Sequence, residues 1–305
     1  MQLPTAIRQK IEEQADALGF PTLQRAAREL SDSYREGRQP HLSAAERTAA
    51  YLVTRMPATY AAAHAVLGEA AGRIVSIGSI LDAGAGTGAA SLAAREYFPA
   101  ASLTMVERDA SFAAAARQFL PGATLIAADL SRIDPLPTHD LVIAAYSLGE
   151  VGAELAARLW AAARVALVLI EPGTPGGFAL IRAVRRDLLA AGARMVAPCP
   201  AGTACPVVDP DWCHFAARVE RSSLHRRVKG GELGHEDEKF SYVALARQAV
   251  PLASARIVRH PRHSPGLIEI EICTASGLRS ERIFKRDRER FRAARKATWG
   301  DAGIS

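Results

Sequence analysis

The chain has 305 residues, 49% hydrophobic and 23% charged, a length that buries a sizeable core and a balance that excludes a disordered or fibrous polypeptide. Its 38 Lys and Arg against 32 Asp and Glu leave a net charge of +6, which favours polyanionic partners. With no apolar run of roughly 18 residues and no basic-then-apolar leader at its start, the sequence carries the expectation of a cytoplasmic protein with reduced cysteines.

Residues 1–75 read as helices, with apolar positions three and four apart over Thr5–Leu18, Pro21–Tyr34 and Ala44–Arg55, and with Pro21 and Pro57 as helix starts. After Arg73 short apolar runs alternate with alanine-rich helical stretches, the pattern of a parallel sheet buried on both faces. The expected strands are Ser79–Ala83, Ser102–Glu107, Ala123–Ala127, Asp140–Ala145 and Val165–Glu171, followed by a helix ending near Ala190. A loop-rich stretch from Cys199 to Trp212 precedes strand-like runs at Phe240–Ala246 and Leu267–Cys273, and Arg282 to Lys296 reads as a basic helix. The expected organisation is a helical region over 1–75, an α/β Rossmann-like core over 76–195, a cysteine-bearing lobe with the last strands over 196–278, and a basic tail over 279–305.

Ile80-Leu-Asp-Ala-Gly-Ala-Gly-Thr-Gly88 joins the first strand to the next helix. Glycines there let backbone approach a ligand at a helix N-terminus. Gly84, Gly86 and Ala89 also satisfy the dinucleotide spacing, so a nicotinamide or flavin enzyme is one reading. Asp82 turns the choice toward S-adenosylmethionine. A carboxylate at the strand end can meet the cationic amino group of a methionine moiety, whereas a pyrophosphate would be repelled, and Gly84, Gly86 and Gly88 form a tighter alternating pattern. Glu107 ends the second strand, where an acid can accept hydrogen bonds from both ribose hydroxyls, and Asp129, past the third, is placed for an adenine amino group. The bland alternative for all three acids is a solvated strand end or helix cap. The fourth strand ends in Ala144-Ala-Tyr-Ser-Leu-Gly-Glu150, which leaves the methyl acceptor open; Tyr146 is a candidate contact to cofactor or acceptor, or a packing residue.

All four cysteines, Cys199, Cys205, Cys213 and Cys273, follow the nucleotide-binding half with gaps of five, seven and fifty-nine residues. Converging thiolates repel one another unless a metal centre holds them. The gaps are wider than zinc sites usually show, and a four-iron, four-sulfur cluster tolerates them better; zinc with His214 as a spare ligand, unliganded buried thiols, and a nucleophile for cytosine C5 methylation remain as alternatives.

Glu171-Pro-Gly-Thr-Pro-Gly-Gly-Phe178, Ala197-Pro-Cys-Pro200, Cys205-Pro206, Asp211-Trp-Cys-His-Phe215 and Glu236-Asp-Glu-Lys-Phe-Ser-Tyr242 resemble the methyltransferase-like family of small-subunit ribosomal assembly proteins, known from mitochondria and with bacterial members. The resemblance runs from about Tyr51 to Trp299-Gly-Asp301. It implies a class I methyltransferase fold, association with small-subunit ribosomal RNA during assembly, and an iron-sulfur cluster on Cys199, Cys205, Cys213 and Cys273. It leaves two roles open, an RNA methyltransferase and a non-catalytic assembly factor of the same fold. Nine basic residues between Arg279 and Lys296 face three acidic ones, a surplus as large as the whole net charge. With Arg218, Arg221, Arg226, Arg227 and Lys229 they are candidate contacts to RNA phosphates, against the alternative of a solvated face with intrahelical pairs such as Glu281 with Lys285 and Asp287 with Arg290.

Overall fold

In the computed structural model the described residues are 1–202 and 204–303. Four helices come first, α1 (Thr5–Leu18), α2 (Phe20–Glu36), α3 (Ala44–Thr54) and α4 (Met56–Ala71). Strand and helix then alternate through β1 (Ser79–Ala83), α5 (Ala89–Tyr97), β2 (Ser102–Val106), α6 (Ala110–Phe119), β3 (Thr124–Ile126), β4 (His139–Ala145), α7 (Leu148–Val151), α8 (Leu155–Ala162), β5 (Ala163–Pro172) and α9 (Pro175–Ala190). The remainder is strand-rich, with β6 (Arg194–Ala197), β7 (Phe215–Glu220), α10 (Ser223–Lys229), β8 (His235–Ala246), β9 (Ala255–Ile257), β10 (Arg262–Ser264), β11 (Leu267–Thr274), β12 (Gly277–Phe284) and α11 (Arg288–Ala294). The architecture is mixed α/β, with a Rossmann-like alternation and mostly parallel strands. No helix is long and apolar enough to cross a membrane among the described residues.

The chain groups into two compact units. The first holds 1–65, 78–134 and 217–238. Its parallel strands run β3-β2-β1, with Ser79 opposite Ser102 and Thr104 opposite Thr124. β1 is buried from Ile80 onward, and α5 buries Ala89 through Ala94; such small side chains let helix and strand approach closely. Helix α3 starts at a capping box in which Ser43 accepts from the Glu46 N–H and Glu46 accepts from the Ser43 N–H. Pro21 lies in the first turn of α2, where its missing N–H costs nothing.

The second unit holds 66–77, 135–216 and 239–305. β4 and β5 pair in parallel, β8 runs antiparallel to β5, and β6 lies antiparallel on the other side of β8. A separate antiparallel sheet contains β9, β10, β11 and β12. Alternate residues of β11 point into its core, where Ile257, Ile268, Ile270, Ile272, Ala294 and Ile283 of β12 are buried and Phe291 of α11 packs against them.

The five expected parallel strands lie within two residues of their expected ends. The basic tail does not form one helix over 282–296. Its first residues belong to β12, whose Ile283 must face the Ile268 side of β11, and only Arg288–Ala294 is helical. The intrahelical pairs are replaced accordingly, since Glu281 pairs with Arg279 and Arg290, and Lys285 makes no ion pair among the described residues.

Candidate functional site

The turn after β1 is built from left-handed backbone. Gly84, Gly86 and Gly88 have φ of 78°, 56° and 84°, a region that side chains disfavour by about 1–2 kcal/mol. The N–H groups of Gly84 and Ala85 both donate to the Val106 carbonyl at the end of β2, at 2.9 and 3.0 Å, and Gly88 N–H donates back to Ala85 at 2.8 Å. Glu107 ties the loop further. One oxygen accepts from Gly86 N–H at 2.8 Å and the other from Asp109 N–H at 2.7 Å.

Asp82 is 1% exposed. Its Oδ2 accepts from Ser91 Oγ at 2.6 Å, while Oδ1 is buried with no hydrogen-bond partner, as is Thr87 Oγ1 in the same loop. Two orphaned polar atoms beside one turn are unusual, because buried polar groups nearly always pair. Burial pushes the Asp82 carboxyl up to about 6, against the Ser91 hydrogen bond and with a small push from Glu107.

Helix α3 covers the loop from the side, a feature without a sequence signal. The Tyr51 ring lies 4.8 Å from that of Phe112 on α6, and a Cβ on Gly86 would stand 4.0 Å from the Tyr51 hydroxyl. Thr48 bonds Ser111 at 2.9 Å, and Arg47 pairs with Asp109, the N-cap of α6. Gly88 is held as closely, since a Cβ there would meet Leu120 at 3.2 Å and Ala116 at 3.5 Å. Gly88→Ala is therefore expected to destabilise the protein by about 2 kcal/mol, read as a lower urea midpoint; an unchanged midpoint would mean the turn relaxes freely.

Asp129 caps its own turn. Oδ1 accepts from the Ser131 N–H at 2.9 Å and its hydroxyl at 2.7 Å, and Oδ2 lies 3.3 Å from Arg108. The Ser131 bonds, then Arg108, hold its carboxyl down at about 2.

In the second unit a cavity with about 640 Å³ of empty volume, open to solvent, is lined by all four cysteines. Each is free and half-buried. Arginines donate to carbonyls of the loop carrying three of them: Arg185 of α9 to Ala201 at 2.9 Å, Arg182 to Val207 at 3.1 Å, and the buried Arg256 to Pro198 at 3.1 Å. Burial first, then the neighbouring thiols, pushes Cys273 up to about 11 and Cys213 higher still. Cys199 is also raised by burial, with Arg185 opposing. Among the described residues no group of three or more His, Cys, Asp or Glu is arranged to hold a metal ion.

The family model described as mitochondrial small ribosomal subunit Rsm22 matches residues 45–303. The chain belongs to this family. The matched span of the Rsm22-family chain contains both the glycine loop and the four cysteines. No curated protein matches its sequence. Similar solved structures include a plantazolicin methyltransferase, BpumL, in complex with SAH (14% identity, 80% of this chain and 100% of that one, TM-score 0.42). Others are the precorrin-6y C5,15-methyltransferase of Geobacter metallireducens (18%, 60% and 86%, 0.40) and DesVI of Streptomyces venezuelae (15%, 80% and 82%, 0.35).

Three further positions of the Rsm22-family chain stand out. Tyr146, at the end of β4, has a left-handed backbone at φ 60° and its N–H donates to the Ile170 carbonyl at 2.8 Å; such strain in a bulky residue is usually retained for a local purpose. Glu171, at the end of β5, is 3% exposed and accepts the N–H groups of Leu148 and Gly149 at 2.9 and 3.2 Å, the open end of α7. His214 does not line the cysteine cavity; its ring stacks on Trp212 at 5.5 Å and lies tilted against Trp299 at 4.4 Å.

Proposed function

We propose that this chain binds S-adenosylmethionine at the glycine loop and methylates RNA of the small ribosomal subunit during its assembly. The observation that carries the reading is the buried, unpartnered Oδ1 of Asp82 ahead of three left-handed glycines. A methionine ammonium would satisfy that atom and its charge together, which a pyrophosphate would not. The glycines then let backbone approach the ligand, and Glu107 takes the ribose hydroxyls, since each of its oxygens keeps a lone pair beyond the backbone N–H it already accepts. Asp129 takes the adenine amino group in competition with Arg108, and Tyr146 is assigned a contact to cofactor or acceptor. The family's name supports the small subunit as the place of action.

Calorimetry with S-adenosylhomocysteine and with NAD tests the cofactor, and tight binding of NAD alone would overturn the assignment. Transfer of labelled methyl groups to unmethylated small-subunit particles tests the reaction. Cofactor binding without transfer would favour the assembly-factor role.

The four thiols we assign to a 4Fe-4S cluster, with zinc as the alternative metal. The chain's only cysteines line one cavity, and the buried guanidinium groups of Arg185 and Arg256 oppose the rise that burial gives the Cys199 thiol. That donor set suits thiolate-held iron. A bound cluster would cross-link the 199–213 loop to β11 and stiffen the lobe. Anaerobically purified protein is expected to absorb broadly in the visible and to contain iron, and Cys213→Ser to lose both. Colourless protein loaded with zinc would overturn the assignment.

A further inference from the structure

The ion pairs of the basic tail divide its basic residues into two sets. Arg279 and Arg290 are held by Glu281, and Arg282 by Glu269. Lys285, Arg286, Arg288, Arg292, Arg295 and Lys296 are exposed, and among the described residues no carboxylate pairs with any of them. The nearest acidic residues in the chain, Asp287 and Glu289, are themselves exposed and too few to balance them. Helical periodicity puts Arg288, Arg292 and Arg295 on one side of α11, because Phe291 and Ala294 turn into the core of the small sheet.

At the head of this stripe stands Phe284. It ends β12 opposite Leu267, the residue is 43% exposed, and the Arg286 guanidinium lies over its ring at 5.1 Å. Lys285 N–H donates to Gly266 and Asp287 N–H to Phe284, both at 2.9 Å, so two hydrogen bonds fix the turn that presents ring and cations together. An exposed aromatic face with a stacked arginine, continued by unneutralised cations, is what a single nucleic-acid strand requires. The bases find a π-surface and the phosphates find charge.

We propose that the turn from Phe284 to Arg288 and the adjoining face of α11 form the docking surface for an unpaired RNA strand, with a base stacked on Phe284 and phosphates along Lys285, Arg286, Arg288, Arg292 and Arg295. This rests on the reading of the protein as an RNA-directed factor and names the surface that meets the RNA. The sheet face itself is excluded, because Arg262 and Arg282 are neutralised there by Glu269 and Glu271.

The test measures binding of the full chain to an unstructured oligouridine, to a mixed-sequence RNA duplex and to anionic phosphatidylserine vesicles across a salt series. The wild type is expected to prefer the single strand. Phe284→Ala should weaken that binding on the order of ten-fold. The triple variant Lys285→Gln, Arg286→Gln, Arg288→Gln should lower the slope of log affinity against log salt by about 2. The control Arg279→Gln, Arg282→Gln alters cations that are already paired and should change binding less than about two-fold. Equal losses in control and triple variant, or a Phe284→Ala variant that binds as the wild type does, would overturn the surface while leaving the RNA reading intact. A wild type that binds none of the RNAs but binds the vesicles would overturn both.

Discussion

Asp82→Asn is expected to weaken S-adenosylhomocysteine binding on the order of 10²- to 10³-fold while making the ligand-free protein more stable at pH 8. The two effects share one cause. Burial raises the Asp82 carboxyl from 3.8 to about 6, so the folded state binds a proton more tightly than the unfolded chain does. Its contribution is fully present below about pH 4 and is lost as pH rises through 6. Above that pH the folded protein holds a buried anion that Ser91 alone solvates, at a cost of about 3 kcal/mol. Asparagine removes the charge and still accepts from Ser91, but its amide replaces one orphaned atom with another, so a net gain of about 1–2 kcal/mol is expected. The ligand's ammonium, by contrast, interacts favourably only with the anion. Wild-type affinity should therefore rise as pH increases from 5 to 7, with release of a proton, and the variant's should stay flat. Calorimetry in buffers of different ionisation enthalpy reads that proton directly. A variant that binds as tightly as the wild type, or a wild type whose affinity is indifferent to pH, would sink the role given to Asp82.

The parallel strands were legible because burial on both faces leaves no alternation to confuse. Leu141 to Ala144 and Ala166 to Ile170 are continuous apolar runs, and the structure buries every one of them. Where a strand has a solvated face, polarity hides it. β12 reads Gly-Leu-Arg-Ser-Glu-Arg-Ile-Phe, with only Ile283 buried, and its Arg and Glu spacing imitates a surface helix. The first five residues of β8, from His235 to Lys239, escaped notice for the same reason. β7 alternates buried and exposed residues, so its polar positions hide it, and β6 has only four residues and opens on an exposed arginine.

In the glycine loop the sequence carries the residue types but not their partners. Nothing in the order Asp82, Thr87, Ser91 reveals that one carboxylate oxygen is bonded and the other left over, because that depends on where α5 turns Ser91 back toward β1. Tyr51 lies 35 residues before Gly86 in the chain, and only the packing of α3 on α6 brings its hydroxyl to the loop. The cysteines are the converse case: the sequence already places three of them in one loop, and the cavity is lined by all four.

Glu171→Gln is expected to stabilise the protein by as much as about 3 kcal/mol at pH 8 and to be nearly neutral at pH 4. Burial lifts this carboxyl from 4.5 to about 7, against the two N–H donors of α7 and with a minor push from Glu150. A raised carboxyl stabilises the fold only while it keeps its proton, so its contribution falls away as pH climbs from 4.5 through 7. Glutamine retains an oxygen for Leu148 and Gly149, and the difference between variant and wild type isolates this one titration from every other group in the chain. Urea midpoints at the two pH values give the answer, and a difference that does not change with pH would remove the carboxyl's special standing. The sign of the expected effect has a functional meaning. Replacing a residue improves stability at working pH only where the native choice was kept for another reason. Asp82 and Glu171 meet that condition separately, each at the end of a buried parallel strand where a doubly wound fold places its chemistry. If both variants gain stability at pH 8 and only Asp82→Asn loses the ligand, the carboxyl of Glu171 belongs to the methyl acceptor's side of the reaction or to none.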